Sequence, residues 1–199
     1  MKLSAATARD VLIFGKNLPE ASDCLCQFRD IFQARVDALL RSLTPVLGME
    51  EAYLLAAIVG EIGNNSFDHN LGQWREVTGC WLSYECQGKN VTVLLGDRGR
   101  GVLNSLQTVA PSMTTDEHAL QTAFHKTMSG RHPEKRGNGL KFVARVINHG
   151  KPRGLICGSG LATLALGEKA NEAKQFWQNY FQRETIPGTI TLITWEATP

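Results

Sequence analysis

Apolar residues recur every three or four positions in the first third of the chain, and this spacing predicts two consecutive helices. The first helix is predicted over 27–47, where the apolar series is Phe28, Ile31, Phe32, Val36, Leu39, Leu40 and Leu43. Gly48 follows as a C-terminal stop, and a second helix is predicted over 49–70. Shorter helical patterns occupy 116–128, 140–148 and 168–184.

Elsewhere the apolar residues form short runs rich in β-branched and aromatic side chains, which predict strands. The predicted strands are 77–86, 91–95, 154–157, 161–166 and 189–195, with a short edge strand at 11–14. The first two are joined by Gln87-Gly88-Lys89-Asn90, as is typical of an antiparallel hairpin. This order of helices and strands predicts an α/β (α+β) two-layer sandwich, with a mainly antiparallel mixed sheet covered by helices on one face.

Composition adds limits to this prediction. A chain of 199 residues with 43% hydrophobic side chains fits a single domain over 1–199. The net charge of +2 gives no overall field toward nucleic acid or an acidic membrane, so direct binding to either is not expected. The N-terminus lacks the apolar core of a signal peptide, and we expect a cytoplasmic protein. The five cysteines contain no Cys-x-x-Cys pair, which favours free thiols over a zinc site.

The first segment suited to chemistry is EIGNNSFDH, within the second predicted helix. Glu61, Asn65 and His69 are four residues apart and share one side of the helix. We expect this row to extend the buried stripe of Leu54 and Ile58, so the polar triplet would need a polar partner. A metal-bound phosphate would be such a partner, because an amide oxygen can ligate a hard cation and a carboxylate can activate a nucleophile. Hydrogen bonds among the three residues and a nearby loop are the alternative.

Two glycine-rich segments follow. Asp97-Arg98-Gly99-Arg100-Gly101 comes directly after a predicted strand, where its glycines would let the backbone approach a flat ligand and its carboxylate could accept a hydrogen bond from an amine. Arg136-Gly137-Asn138-Gly139-Leu140 precedes a predicted helix, whose N-terminus would favour an anion, with Lys141 adding positive charge. A tight turn and a simple helix entry are the respective alternatives.

In their order, these segments resemble the nucleotide motifs of the GHKL ATPase superfamily, which includes histidine-kinase catalytic domains and anti-sigma-factor serine kinases. EIGNNSFDH is similar to the motif Glu-x-x-x-Asn-x-x-x-His/Lys, DRGRG to Asp-x-Gly-x-Gly, and GNGL to the Gly-x-Gly motif after a flexible lid. PGTITLITW looks like the terminal Gly-Thr strand, so the resemblance covers about 27–196. It implies the Bergerat ATP-binding fold, with an N-terminal extension at 1–26 and an ATP lid at 102–136.

The resemblance also implies roles for individual residues. Glu61 would be the catalytic base or orient the nucleophile, and Asn65 would ligate Mg²⁺. Asp97 would accept a hydrogen bond from the adenine amine. The other implied nucleotide-binding residues are His69, Gly99, Gly101, Arg136, Gly137, Asn138, Gly139, Lys141 and Thr189. Two features depart from the family pattern: Lys141 stands where a further glycine is common, and 168–187 looks like an inserted helix. The aromatic residues of that helix either pack on the sheet or bind a partner.

The implied cofactors are ATP and Mg²⁺, but the family does not fix the phosphoryl acceptor. None of the five histidines has the sequence context of a histidine-kinase acceptor. The expected function is therefore a stand-alone regulatory Ser/Thr protein kinase, similar to anti-sigma or switch kinases, which acts on a separate regulatory protein. A non-catalytic ATP-dependent sensor and an ATPase subunit of a larger complex are the alternatives, and a homodimer is also left open.

Overall fold

A six-stranded antiparallel sheet forms the centre of the computed structural model, which describes residues 5–16, 23–70, 72–125, 138–181 and 184–197. The strands are β1 (Leu25–Cys26), β2 (Cys80–Gln87), β3 (Asn90–Asp97), β4 (Arg153–Gly160), β5 (Ala162–Leu166) and β6 (Ile186–Glu196). Their order across the sheet is β1-β2-β3-β6-β4-β5. The two central strands, β3 and β6, pair along their length, with Asp97 opposite Thr189.

The helices of the described residues are α1 (Ala5–Leu12), α2 (Arg29–Leu47), α3 (Met49–Asn70), α4 (Gly101–Gln107), α5 (Asp116–His125), α6 (Gly139–Ile147) and α7 (Ala170–Tyr180). The long antiparallel pair α2 and α3 packs with α5 and α6 on one face of the sheet. These helices and this sheet face are the two layers predicted from the sequence, and the two-layer α/β sandwich is confirmed. None of the described helices combines the length and apolar character needed to cross a membrane.

Alternate side chains of the central strands enter two separate cores. In β3, Val93 and Leu95 point to the α3 side, whereas Leu94 points to the opposite side, as the two-residue period of a strand requires. On that opposite side, α1 and α7 add a second, smaller core through residues such as Leu12 and Trp177. Both faces of β3 are therefore covered, rather than the single face that the sequence predicted, which explains why six of its eight residues are buried.

The edge strand predicted at 11–14 is wrong, because residues 5–12 form helix α1. Ala5, Ala8, Val11 and Leu12 are its buried residues, and their spacing is helical. The apolar run that suggested a strand covers only four residues, too few to distinguish the two periods. Helix α4 and strand β1 were not predicted.

The segment 168–187, predicted to be an insertion, contains helix α7, and the aromatic residues of this segment divide into two pairs. Trp177 and Phe181 are buried against the sheet, and their rings lie 5.1 Å apart. A Cβ on Gly158 would lie 2.5 Å from the Trp177 indole, so the strand needs glycine at this point. Tyr180 is exposed, and its ring is tilted against the Phe176 ring with centroids 4.9 Å apart. Trp177 and Phe181 therefore pack on the sheet, which is one of the two alternatives left open by the sequence.

Candidate functional site

Asp97, the last residue of the central strand β3, is 2% exposed and accepts four hydrogen bonds. Its Oδ1 accepts from the Gly99 backbone N–H at 2.8 Å and from Asn70 Nδ2 at 3.1 Å. Its Oδ2 accepts from Ser66 Oγ at 2.8 Å and from Thr189 Oγ1. A carboxylate has about four lone-pair sites, so these donors fill the acceptor capacity of Asp97.

All four donors to Asp97 are electrically neutral: two hydroxyls, one amide and one backbone N–H. Burial raises the pKa of the Asp97 carboxyl above its ordinary value, while the hydrogen bonds from Thr189, Gly99, Ser66 and Asn70 oppose that effect. Such a carboxylate is an acceptor without a counter-ion. Because its acceptor sites are filled, it can accept a hydrogen bond from a ligand amino group only where one of these four donors is displaced.

The turn after Asp97 is tightly packed against the end of α3. A Cβ on Gly99 would lie 1.9 Å from Asn70 Cγ, so the flat carboxamide of Asn70 covers this glycine. Asn70 Oδ1 also accepts from the Arg100 backbone N–H at 2.9 Å. On the other side, a Cβ on Gly188 would lie 2.5 Å from Asp97 Oδ1. The two glycines therefore allow close approach of neighbouring groups around the carboxylate.

Gly101 begins helix α4 with φ +76°, a conformation that favours glycine. Ser159 Oγ on β4 accepts from the Val102 backbone N–H at 3.0 Å and donates to the Gly188 carbonyl at 2.8 Å. Ser159 therefore links the start of α4 to the strand that carries Thr189. Ser159 was not predicted as a site residue, because a single serine in a strand belongs to no motif.

The expected burial of the Glu61, Asn65 and His69 row is wrong. Glu61 and His69 are exposed and Asn65 is half-buried. Four-residue steps back from Glu61 lead to Ala57, which is also exposed, whereas the buried row runs one position further round the helix. That buried row consists of Ile58, Ile62, Ser66 and Asn70. The predicted stripe was therefore displaced by one residue, and Ser66 and Asn70, which donate hydrogen bonds to Asp97, were not predicted.

Glu61 lies against the start of helix α6, where the first and third motifs meet. A Cβ on Gly139 would lie 2.1 Å from Glu61 Oε2, so a larger residue there would displace this carboxylate from the start of α6. Helix N-termini attract negative charge, because their first N–H groups have no partner within the helix. Asn138 immediately precedes this terminus and is exposed, and Lys141 is half-buried in its first turn. Arg136 and Gly137 lie outside the described residues.

Arg98 lies within the second motif, but its guanidinium makes structural contacts. It is 6% exposed and donates from Nη1 to the carbonyls of Leu12 and Ile13, at 2.9 and 2.6 Å. Its Nε and Nη2 donate to Glu76. Arg98 therefore caps the C-terminus of α1 on the sheet face opposite α3. The Asp97 side chain lies on the other face, where it accepts hydrogen bonds from α3.

The described residues contain no group of three or more His, Cys, Asp or Glu side chains that could hold a metal ion. A divalent cation at Asn65 would therefore take most of its ligands from a bound phosphate group and water, as Mg²⁺ commonly does. The half-buried amide of Asn65, one turn beyond Glu61 on α3, is compatible with that arrangement.

Comparison of the chain with protein-family models gave no match, and comparison with curated proteins gave none either.

Proposed function

We propose that this chain is a Mg-ATP-binding domain of the GHKL type and a stand-alone regulatory kinase that phosphorylates a separate partner protein. The observation that carries this proposal is the convergence of the three motifs along one helix. Helix α3 holds the buried Asp97 through Ser66 and Asn70, and its exposed Glu61 meets the start of α6.

The spacing along α3 is compatible with an extended nucleotide. Glu61 and Asn70 are nine residues apart, which corresponds to about 13 Å at 1.5 Å per residue. The base would lie at the Asp97 end, where an acceptor without a counter-ion favours the amino group of adenine. The triphosphate would lie toward Gly139, where the helix N-terminus favours an anion. This direction assigns Asp97, Gly99 and Thr189 to the base and Gly139 to the phosphates.

Asn65 would hold Mg²⁺ through its amide oxygen, because it lies between these two ends. The cation, when bound, neutralises the charge on the transferred phosphoryl group. Glu61 would accept the proton of the attacking hydroxyl as general base. The exposure of Glu61 is compatible with an acceptor on a second protein, since a hydroxyl from another chain can approach this carboxylate from solvent.

Incubation of the protein with γ-labelled ATP and cell extract tests this function. We expect label on a second protein. Glu61→Gln keeps the shape of the side chain but removes its basicity, so transfer should fall roughly 100-fold or more while ATP affinity persists. Asn65→Ala should weaken binding of the Mg-ATP complex itself.

Two other residues of α3 provide matched controls for these variants. Glu50→Gln alters an exposed carboxylate at the other end of α3, and Asn64→Ala removes an amide that accepts from Gln33. Both should leave transfer unchanged. Label on inorganic phosphate alone would support an ATPase instead. Transfer that survives Glu61→Gln unchanged would refute the assigned base, and ATP binding without any transfer would support a sensor.

A further inference from the structure

Asn70 occupies the space in which a base would approach Asp97. It is the last residue of α3 and 4% exposed. Its carboxamide lies flat against Gly99, and its Nδ2 donates to Asp97 Oδ1. A planar group that stacks on this glycine and offers an N–H to this carboxylate has the same hydrogen-bonding character as the amino edge of adenine.

A base amine that reaches Asp97 must replace one of the four existing donors. Ser66 and Thr189 bind the other oxygen, and Thr189 stands on a central strand directly paired with Asp97. The Gly99 N–H belongs to the same turn as the carboxylate. Asn70 is the remaining donor to Oδ1, its hydrogen bond of 3.1 Å is the longest of the four, and it comes from a side chain at a helix end.

We propose that the Asn70 carboxamide competes with the nucleotide base for Asp97 and Gly99, and so sets the affinity of the site. This inference rests on the proposed function and adds a residue that limits the affinity for nucleotide. For a base to bind, the carboxamide turns away and gives up its hydrogen bonds to Asp97 and to the Arg100 N–H. The amine of adenine restores the bond to Asp97, whereas the loss at Arg100 is a cost that nucleotide binding must overcome.

Asn70→Ala removes this competition and has opposite effects on the two states of the protein. Without nucleotide, Asp97 loses a donor and the Arg100 N–H loses its acceptor, so the melting temperature should fall. With Mg-ATP, no carboxamide has to be displaced, so affinity should rise roughly 10-fold. A purely structural role for Asn70 predicts the first effect without the second.

The experiment is calorimetric titration of wild type and Asn70→Ala with Mg-ATP and, separately, with Mg-tripolyphosphate. We expect the variant to bind Mg-ATP about 10-fold more tightly, with no gain for tripolyphosphate, which has no base to place against Gly99. Asn64→Ala is the matched control, because it removes another amide of α3 on the surface that contacts Gln33, and it should change neither affinity. If Asn70→Ala does not fold, Asn70→Ser should show a smaller gain in the same direction.

The outcomes separate this inference from the function on which it rests. If wild type binds Mg-ATP and the Asn70 variants bind it equally or more weakly, the competition is refuted and the nucleotide site stands. An equal gain for tripolyphosphate would also overturn it, because the effect would not involve the base. If neither wild type nor the Asn70 variants bind Mg-ATP, the proposed function fails together with the inference.

Discussion

Asp97 and Glu51 are both buried carboxylates, but they differ in the charge of their partners. Glu51, 9% exposed on α3, accepts from Lys151 Nζ at 2.6 Å, and Arg153 Nη2 donates to both of its carboxylate oxygens, at 2.9 and 2.7 Å. Trp195 Nε1 also donates to it at 3.0 Å, and the Arg153 guanidinium lies 4.1 Å from the Trp195 ring centroid. Glu51 is therefore a neutralised structural anchor. Asp97 has neutral donors only, so its charge has no such compensation.

Glu51 should give the fold a measurable dependence on pH. Burial alone would raise the pKa of Glu51, but hydrogen bonds and charge from Lys151 and Arg153 outweigh it and hold the pKa below its ordinary value of 4.5. A depressed carboxyl pKa stabilises the folded state above the unfolded-state value, and the contribution is lost as pH falls through the folded-state pKa. Glu51→Gln should therefore lower the free energy of unfolding by about 3 kcal/mol at pH 7. This difference should shrink below about pH 4.

Urea denaturation at pH 7 and in acid measures this difference. Glu172→Gln is the control, since its carboxylate pairs with Lys169 on the surface and is 60% exposed. It should cost less than about 0.5 kcal/mol. A cost for Glu51→Gln that does not change with pH, or that equals the control, would contradict the assigned role.

Long elements were predictable from the sequence, and short ones were not. The bounds of α3 agree with its predicted range, because a long run at helical spacing averages out single-residue ambiguity. The buried side of α3 was predicted less accurately. The expected buried row contained Glu61, whereas the observed one lies one residue further on and contains Ser66 and Asn70. Four-residue steps from the apolar Ile58 and Ile62 lead to Ser66 and Asn70, so the apolar period itself includes these two residues and leaves Glu61 outside the buried row.

At the element scale, α1 should depend on Arg98 for its position. An eight-residue helix is marginal alone, and Arg98 supplies donors to its last carbonyls. Arg98→Ala should speed amide hydrogen exchange across 5–13 and lower the free energy of unfolding by about 2 kcal/mol. Lys16→Ala, which breaks an exposed pair with Asp10, should do neither. Unchanged exchange in Arg98→Ala would show that the apolar contacts alone hold α1.

The segment 102–136, predicted as the ATP lid, contains two different helices in its described part. Helix α5 is packed into the core through Leu120 and Phe124, whereas α4 has no buried residue. We predict that Mg-ATP slows hydrogen exchange in α4 and changes α5 much less, because α5 is already held by apolar contacts. Exchange in α2 serves as the internal control. An α4 that exchanges equally with and without bound ATP would refute its assignment to the lid.

At the scale of the whole molecule, the sheet brings distant segments to one point. Asp97 ends a strand whose two faces are covered by helices, and its donors come from α3, β6 and the following turn. The motifs could be recognised separately in the sequence, but their meeting required the strand order, in which β6 inserts between β3 and β4. That order also explains why Thr189, far away in the chain, lies opposite Asp97.

The most direct test of this account is calorimetric titration of Mg-ATP into wild type and Asp97→Asn, with circular dichroism to verify that the variant is folded. The substitution keeps the size of the side chain but replaces one acceptor oxygen with a donor, which opposes an amine. We predict saturable binding to wild type and a loss of roughly 1–3 kcal/mol in the variant. Absence of binding to wild type, or equal affinity in the folded variant, would contradict the assignment of Asp97 to an adenine site.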